Sequence, residues 1–241
     1  MHDSLLFFFA WFFAGLVNNI TGFGAAMVAM PFIANSVPLE TAVPASTLIV
    51  LTLNLQVGWA YRRHIKWGRL GHLFVGGVAG AAAGVLLHRA AGNEGLKLGM
   101  GLFMIGYAAC CLAARGGVPR RLGPGWGVGA GFASTLLGAL FGFNGPPLAM
   151  YVARSGWAPE DAKAVFGACF VMTGATILAG QLLAGIHNAQ TVTGYLVGCP
   201  GALLGGMLGL FLSRFVSQKA YQRGILVLVL GSGLHMALSS L

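Results

Sequence analysis

The sequence predicts an all-α polytopic membrane protein made of two inverted repeats. The chain of 241 residues is 57% hydrophobic and only 8% charged, whereas ordinary globular domains carry about 25% charged residues. Its apolar residues form eight segments, and the chain repeats itself at an offset of about 120 residues. We expect each repeat to contain one re-entrant, broken helical hairpin followed by three transmembrane helices.

The apolar segments match the dimensions of a lipid bilayer, which a transmembrane helix crosses with about 20 apolar residues. They run over residues 4–34, 41–60, 70–88, 96–114, 126–153, 162–184, 190–213 and 220–240. A mean hydropathy of +0.80 leaves too little polar surface for a soluble fold. All four cysteines lie within these segments and lack metal-site spacing, so we expect structural thiols: Cys110, Cys111, Cys169 and Cys199.

The duplication is clearest at the most unusual stretch of each half. Residues 22–33, GFGAAMVAMPFI, align with residues 142–153, GFNGPPLAMYVA, and with a one-residue slip the register continues through the third segment of each half. Paired interrupted segments in a duplicated hydrophobic chain indicate the binding site of a transporter. The duplication predicts three parts: a first repeat at 1–115, a cytoplasmic linker at 116–125 and a second repeat at 126–241.

Glycine, asparagine and proline interrupt the first segment of each repeat. Apolar stretches at 4–17 and 25–37 flank NNITGFG, and stretches at 126–141 and 146–156 flank GFNG. A helix of about 13 residues spans only about 20 Å, which is too short for a hydrocarbon core of about 30 Å. We therefore expect each stretch to be one arm of a re-entrant hairpin.

The distribution of Lys and Arg distinguishes crossing from re-entry. If all eight segments cross, seven cations lie on each face, against the tendency of cations to gather in the cytoplasm. If the first and fifth segments re-enter, only Arg89 and Lys97 lie outside. Three crossings per repeat then make the repeats inverted, with both termini in the periplasm. The twelve cations predicted to face the cytoplasm are Arg62, Arg63, Lys66, Arg69, Arg115, Arg120, Arg121, Arg154, Lys163, Arg214, Lys219 and Arg223.

The basic stretch 61–69 is interpreted as a topology anchor, with Trp59, Tyr61 and Trp67 at the membrane interface. The net charge of +9 is spread over such loops between apolar segments. We therefore predict a lipid bilayer and a small anion as partners, and no nucleic acid. The sequence makes no prediction of oligomeric state.

The third segment of each repeat carries glycines spaced four residues apart. Such ridges of small residues let helix backbones approach closely in lipid. We expect these helices to pack against the hairpins or against each other near the pseudo-symmetry axis. The glycines are Gly76, Gly80 and Gly84 in one repeat and Gly201, Gly205 and Gly209 in the other.

Each break is predicted to present the N-terminus of a half-helix near mid-membrane. Asn-Gly-Pro-Pro at 144–147 is a helix-start pattern with Asn144 as the cap, and we expect Thr21 or Asn19 to cap the helix of the first break. Two helix ends together carry about one positive charge and form an anion site. The predicted substrate-binding residues are Asn18, Asn19, Thr21, Gly22, Phe23, Gly24, Asn54, Gln56, Gly142, Phe143, Asn144, Gly145, Pro146 and Gln181.

The predicted spans have no Lys, Arg, Asp or Glu near their middle. Proton and sodium antiporters usually keep an intramembrane carboxylate, so we expect no such coupling here and no lysine or arginine beside the anion. Neither a GxSG nor an HExxH motif is present, and these are the patterns of hydrolases and metalloproteases. We predict no enzyme, no catalytic residue, no metal site and no cofactor.

The stretches FAGLVNNITGFGAAMVAMP (13–31) and GFNGPPLAMY (142–151) resemble the TauE/SafE family of sulfite and organosulfonate permeases over nearly the whole chain. The resemblance implies a transporter that exports a small oxyanion across a bacterial plasma (inner) membrane. The oxyanion would be sulfite, sulfoacetate or another organosulfonate or carboxylate. By analogy, residues 22–26 and 142–147 would face the substrate. Ala25, Ala26 and Asn144 depart from the glycine run often seen in the family. A passive anion channel or uniporter, and an uptake permease for the same anions, remain the alternatives.

Overall fold

The computed structural model describes residues 2–34, 36–113, 122–213, 215 and 218–239. Within these residues the chain forms ten α-helices, two 3-10 turns at 62–64 and 67–69, and no strand. The eight predicted apolar segments are confirmed, six as single helices and two as helix pairs. The helices are α1 (His2–Thr21), α2 (Ala25–Ile33), α3 (Leu39–Ala60), α4 (Leu70–Ala90), α5 (Asn93–Ala113), α6 (Pro124–Phe141), α7 (Gly145–Ser155), α8 (Pro159–Leu183), α9 (Ala189–Leu212) and α10 (Gln218–Ser239).

The two interrupted segments are the pairs α1–α2 and α6–α7. The second break, at 142–144, lies where the sequence predicts it. The first break is shorter than expected, because α1 continues beyond residue 17 to Thr21 and only 22–24 are non-helical. The hydroxyl of Thr21 bonds to the carbonyl of Val17 at 2.9 Å, so this polar side chain is satisfied within the helix.

The lengths of the first arms overturn the length argument for re-entry. Helix α1 has 20 residues and α6 has 18, so they reach about 30 Å and 27 Å. Only α2, with 9 residues, and α7, with 11, are too short to cross a core of about 30 Å. Of the described helices, six are long and apolar enough to cross a membrane: α1, α3, α4, α5, α8 and α9.

The glycine ridges pack against the long arms of the predicted hairpins, as expected, and each ridge packs on the arm from the other half of the chain. Helix α4 lies on α6, and α9 lies on α1. A Cβ on any ridge glycine would overlap a carbonyl group of the partner helix, so the backbones touch. The contacts follow the same order along both helices of each pair: Gly76 with Val128, Gly80 with Phe132 and Gly84 with Leu136; Gly201 with Phe8, Gly205 with Phe12 and Gly209 with Leu16. Both pairs are therefore parallel.

Helices α3 and α8, which occupy equivalent places in the two repeats, pack against each other in opposite directions. The contacts run in reverse order along the two helices: Gly58 with Gly167, Leu51 with Gly174 and Thr47 with Gln181. Helix α3 also packs parallel to α9, with Ala45 near Gly194, Ile49 near Gly198 and Leu53 near Gly206. Helix α4 packs parallel to α8, with Gly77 near Thr173 and Val85 near Gly180.

The helix directions determine the course of the chain through α2 and α7. Helices α1 and α3 are both parallel to α9, and α6 and α8 are both parallel to α4. Since α1 and α3 point the same way, the chain between them, which includes α2, has to return to the side from which α1 started. For the same reason, the chain between α6 and α8, which includes α7, returns to the side from which α6 started.

Helix α2 is enclosed by protein, with every residue buried except Phe32. Irregular backbone at membrane depth is tolerated where protein or a cavity surrounds it, and this enclosure provides such surroundings for the first break. Four cations counted above, Arg115, Arg120, Arg121 and Arg214, lie outside the described residues, as does most of the predicted linker 116–125. The side chains of Arg69, Lys219 and Arg223 also lie outside them.

Candidate functional site

The two breaks meet. A Cβ placed on Gly145, the first residue of α7, would lie 3.2 Å from the Cβ of Phe23 in the first break. The ring of Phe23 also packs on Phe166 of α8, with ring centroids 5.3 Å apart. The N-terminal ends of α2 and α7 therefore approach each other across the interface of the two repeats.

Three glycines at the breaks adopt backbone conformations that other residues rarely take. Gly22 has φ +91°, Gly24 has φ +100° and Gly142 has φ +80°. Glycine reaches this left-handed region without steric cost, which explains its place at both ends of the first break and at the start of the second.

The first break is capped by a residue other than those predicted. The backbone N–H of Ala25, at the start of α2, donates to Asn18 Oδ1 at 3.4 Å, so the expectation that Thr21 or Asn19 caps this helix is wrong. The single hydroxyl hydrogen of Thr21 is shared between the carbonyl of Val17 in α1 and the carbonyl of Phe23, whose oxygen lies 2.6 Å from Thr21 Oγ1. Because Asn18 lies one turn from the end of α1, its side chain reaches across the tight turn to α2.

Asn19 and Gln56 bond to each other rather than pointing free side chains into a site. Asn19 Nδ2 donates to Gln56 Oε1 and to the carbonyl of Gly206, both at 2.8 Å. Asn19 is fully buried. These bonds join the end of α1 to α3 and α9, and they use both hydrogens of the Asn19 amide.

At the second break Asn144 occupies the predicted cap position of α7, but its side chain makes no capping bond. Its carbonyl accepts a hydrogen bond from the hydroxyl of Ser134. Pro146 and Pro147 follow in the first turn and have no N–H to offer. The end of α7 therefore presents fewer backbone donors than the sequence-based prediction assumed, chiefly those of Asn144 and Gly145.

A small cavity of about 10 Å³ lies beside the second break, which is room for about one water molecule. It is level with the middle of α3. Its walls come from α3, the second break and α8: Thr47, Val50, Leu51, Gly138, Gly142, Asn144, Phe170, Gly174 and Ile177. In this conformation the site is closed to an oxyanion, whose four or more heavy atoms need more space than one water.

Two buried amides with unpaired atoms lie one helical turn along the chain from residues that line this cavity. Asn54 is 1% exposed, and neither its Nδ2 nor its Oδ1 has a hydrogen-bond partner among the described residues. Gln181 donates Nε2 to Thr47 Oγ1 at 3.2 Å, while its Oε1 is unpaired. Asn54 lies one turn beyond Val50 and Leu51, and Gln181 one turn beyond Ile177, so both follow the helix faces that line the cavity. Each unpaired buried polar group costs about 1–3 kcal/mol, which a bound ligand or water would recover.

Lys163 is the site residue that the sequence analysis missed. It is 7% exposed and lies in the first turns of α8, not in a loop. A Cβ on Gly22 would lie 3.2 Å from Lys163 Cγ, so the expectation of no lysine beside the breaks is wrong. Pro159 followed by Glu160 and Asp161 is a helix-start signal that would have placed Lys163 inside α8.

His88, in the last turn of α4, is buried. It is 3% exposed, and its Nδ1 lies 3.2 Å from the carbonyl oxygen of Leu140 near the end of α6. By contrast, Trp59 and Trp67 are exposed on the bundle surface, as interface aromatics would be. The ring of Trp59 lies 4.3 Å below the guanidinium of Arg62.

Comparison with known proteins agrees with this architecture. A family model described as sulfite exporter TauE/SafE matches residues 7–236, a range that includes both breaks. Over 178 residues the chain is 28% identical to the probable inner membrane transporter protein TsaS of Comamonas testosteroni, covering 72% of this chain and 73% of that protein. No solved structure matches the chain. The family and this relative are membrane transporters rather than enzymes. The predicted resemblance is confirmed, and the chain belongs to the sulfite exporter TauE/SafE family.

Proposed function

We propose that this protein is a membrane carrier that exports a small oxyanion, such as sulfite, sulfoacetate or another organosulfonate or carboxylate, by alternating access. The observation that carries the proposal is the meeting of two half-helix N-termini, α2 and α7, beside unpaired buried amides. Helix N-termini attract anions through their backbone N–H groups and dipoles. The name of the family and the resemblance at both breaks support a sulfur oxyanion as the substrate.

The proposed architecture is a pair of inverted repeats, each with a re-entrant hairpin. Its support is the direction of the helices: α1 runs parallel to α3, which fits a chain that enters and returns through α2, and α3 runs antiparallel to α8. Equivalent helices that run in opposite directions are what a two-fold axis in the membrane plane produces.

The proposed orientation places the basic loops in the cytoplasm and both termini in the periplasm of a bacterial inner membrane. It follows from the excess of cations at 61–69, 115–124, 154–163 and 214–223. The relative from Comamonas testosteroni is named as an inner membrane transporter, which supports the same membrane.

The small volume of the cavity supports a carrier rather than an open channel. At about 10 Å³ the cavity has too little room for an oxyanion, so in the proposed cycle a conformational change opens the site to each side in turn. In a carrier without an intramembrane carboxylate, the membrane potential supplies the driving force for anion export. It amounts to about 2.3 kcal/mol per charge per 100 mV, which corresponds to roughly fortyfold accumulation of a monovalent anion outside.

The test is a flux assay with the purified protein in proteoliposomes, comparing sulfite, sulfoacetate, taurine and oxalate. We expect saturable flux, counterflow against a preloaded anion, and a rate that follows an imposed potential when the pH gradient is zero. Conductance without saturation or counterflow would identify a channel. A flux that stops when only the pH gradient is collapsed, at clamped potential, would contradict the proposed energetics and would direct attention to His88.

A further inference from the structure

Among the residues that the structure describes, Lys163 is the buried lysine that lies against the first break. The stem of Lys163 packs on Gly22, where an added Cβ would lie 3.2 Å from Lys163 Cγ. Its Nζ donates to the hydroxyl of Tyr61 at 3.1 Å and lies 5.1 Å from the centre of the Tyr61 ring. The residue as a whole is 7% exposed.

Among the residues that the structure describes, no carboxylate lies within ion-pair distance of Lys163. Asp161, two residues earlier, is bonded to Lys66 and lies 3.8 Å from His64 Nδ1. A hydroxyl and an aromatic ring offset only part of the cost of desolvating an ammonium. An anion at the first break would supply the missing opposite charge.

We propose that Lys163 is an anion-binding residue at the end of the site that faces the basic loops, and that Tyr61 holds its ammonium while the site is empty. This inference rests on the proposed transport of a small oxyanion and adds a charged group to a site otherwise made of backbone and neutral amides. An anion that approaches Gly22 takes over the Nζ hydrogen bond that Tyr61 accepts in the closed site.

The position of Tyr61 fits this role. It follows the last residue of α3 and precedes the basic 3-10 turn at 62–64, so Lys163 lies between that basic loop and the first break. The cations of the loop raise the local concentration of anions. Lys163 is the cation placed to receive them, because it contacts the break itself.

The charge of the substrate distinguishes an electrostatic role from a structural one. Coulomb energy scales with the product of the charges, so loss of Lys163 weakens binding of a dianion by twice the free energy lost for a monoanion. Sulfoacetate, with two negative charges, and methanesulfonate, with one, are suitable probes. A packing defect would change the KM of both by the same factor.

The experiment measures KM and maximal flux for both probes with the full-length protein in proteoliposomes. We expect Lys163→Gln and Lys163→Met, which keeps an unbranched stem against Gly22, to raise the KM about tenfold for sulfoacetate and about threefold for methanesulfonate; tenfold corresponds to about 1.4 kcal/mol. Lys163→Arg should stay within about threefold of the wild type. Lys97→Gln removes an equal charge from a residue paired with Glu94 and should leave both KM values unchanged.

An unchanged KM in well-folded Lys163→Gln protein, or an equal rise for both anions, overturns the inference while leaving the proposed carrier intact. If the wild type transports neither probe and none of the anions of the flux screen, the proposed function itself fails. Should neither neutral variant reach the membrane, Tyr61→Phe tests the same point with every charge in place. It frees the Lys163 ammonium, so the KM for sulfoacetate should fall; a rise by the same factor for both anions overturns the inference.

Discussion

Replacing Asn144 by aspartate places one negative charge at the point where the two half-helices meet, with almost no change of shape. Asn144 is 7% exposed and precedes the first turn of α7 without a side-chain capping bond. Two like unit charges about 4 Å apart repel by about 4 kcal/mol at an effective dielectric constant near 20. That energy corresponds to roughly a thousandfold loss of affinity for an anion, so transport should be abolished.

The same substitution should leave the fold intact, which makes the result interpretable. Aspartate is among the preferred residues at helix N-caps, and a negative charge there gains about 0.3–1 kcal/mol from the helix dipole. We therefore expect Asn144→Asp protein to reach the membrane and to unfold in detergent at or above the temperature of the wild type. Proteoliposome flux of sulfite and sulfoacetate then measures the loss of function separately from stability.

Two variants act as controls. Gly123→Asp places the same charge at the N-cap of α6, at the far end of that helix from the break and in open space, and should retain transport. Asn144→Ala removes the amide without adding charge. Since no capping bond exists, it should leave stability nearly unchanged and weaken transport less than aspartate does. Normal transport by well-expressed Asn144→Asp protein would mean that the anion binds elsewhere.

Three further predictions concern packing, the unpaired amide and topology. Gly205→Ala should destabilise the protein by about 1–3 kcal/mol, because the new methyl group overlaps the carbonyl of Phe12. Gly106→Ala is the control, since Gly106 has open space around it, and it should not destabilise the protein. Equal unfolding temperatures of the two variants would contradict the close packing of α1 on α9. Asn54→Leu removes an amide whose two polar atoms are unpaired, so it should stabilise the fold by about 1–3 kcal/mol and raise the unfolding temperature. It should also reduce transport. Full transport by this variant would show that Asn54 does not contact the anion. A cysteine introduced at Leu241 in a protein lacking its natural cysteines should react with an impermeant thiol reagent from the periplasm, and labelling only after permeabilisation would refute the proposed orientation.

Much of the local structure followed from the sequence. Long apolar segments have to become helices in lipid, because every backbone N–H and C=O then bonds within its own segment. Glycines and prolines mark where this pattern fails, so the breaks near Gly22 and Gly142 were predictable, as were the close-packed ridges around Gly80 and Gly205. The end of α1 was misjudged because asparagine and threonine weaken a helix only when their side chains compete for its backbone. Here Asn19 bonds to other helices, and Thr21 bonds back to its own.

The tertiary structure decided which residues share the site. Spacing in the sequence does not predict that each glycine ridge packs on the long arm from the other half of the chain. It does not predict that α1 and α3 run parallel either, because the relative direction of two helices depends on contacts between segments far apart in the chain. For the same reason Lys163 was assigned to a loop by its charge, whereas packing places its stem on Gly22 and its ammonium on Tyr61. The sequence by itself determined a membrane-embedded, duplicated chain with two breaks. Folding determined that the breaks meet, that the Asn54 side chain has no hydrogen-bond partner among the described residues, and that the buried Lys163 lies beside the first break.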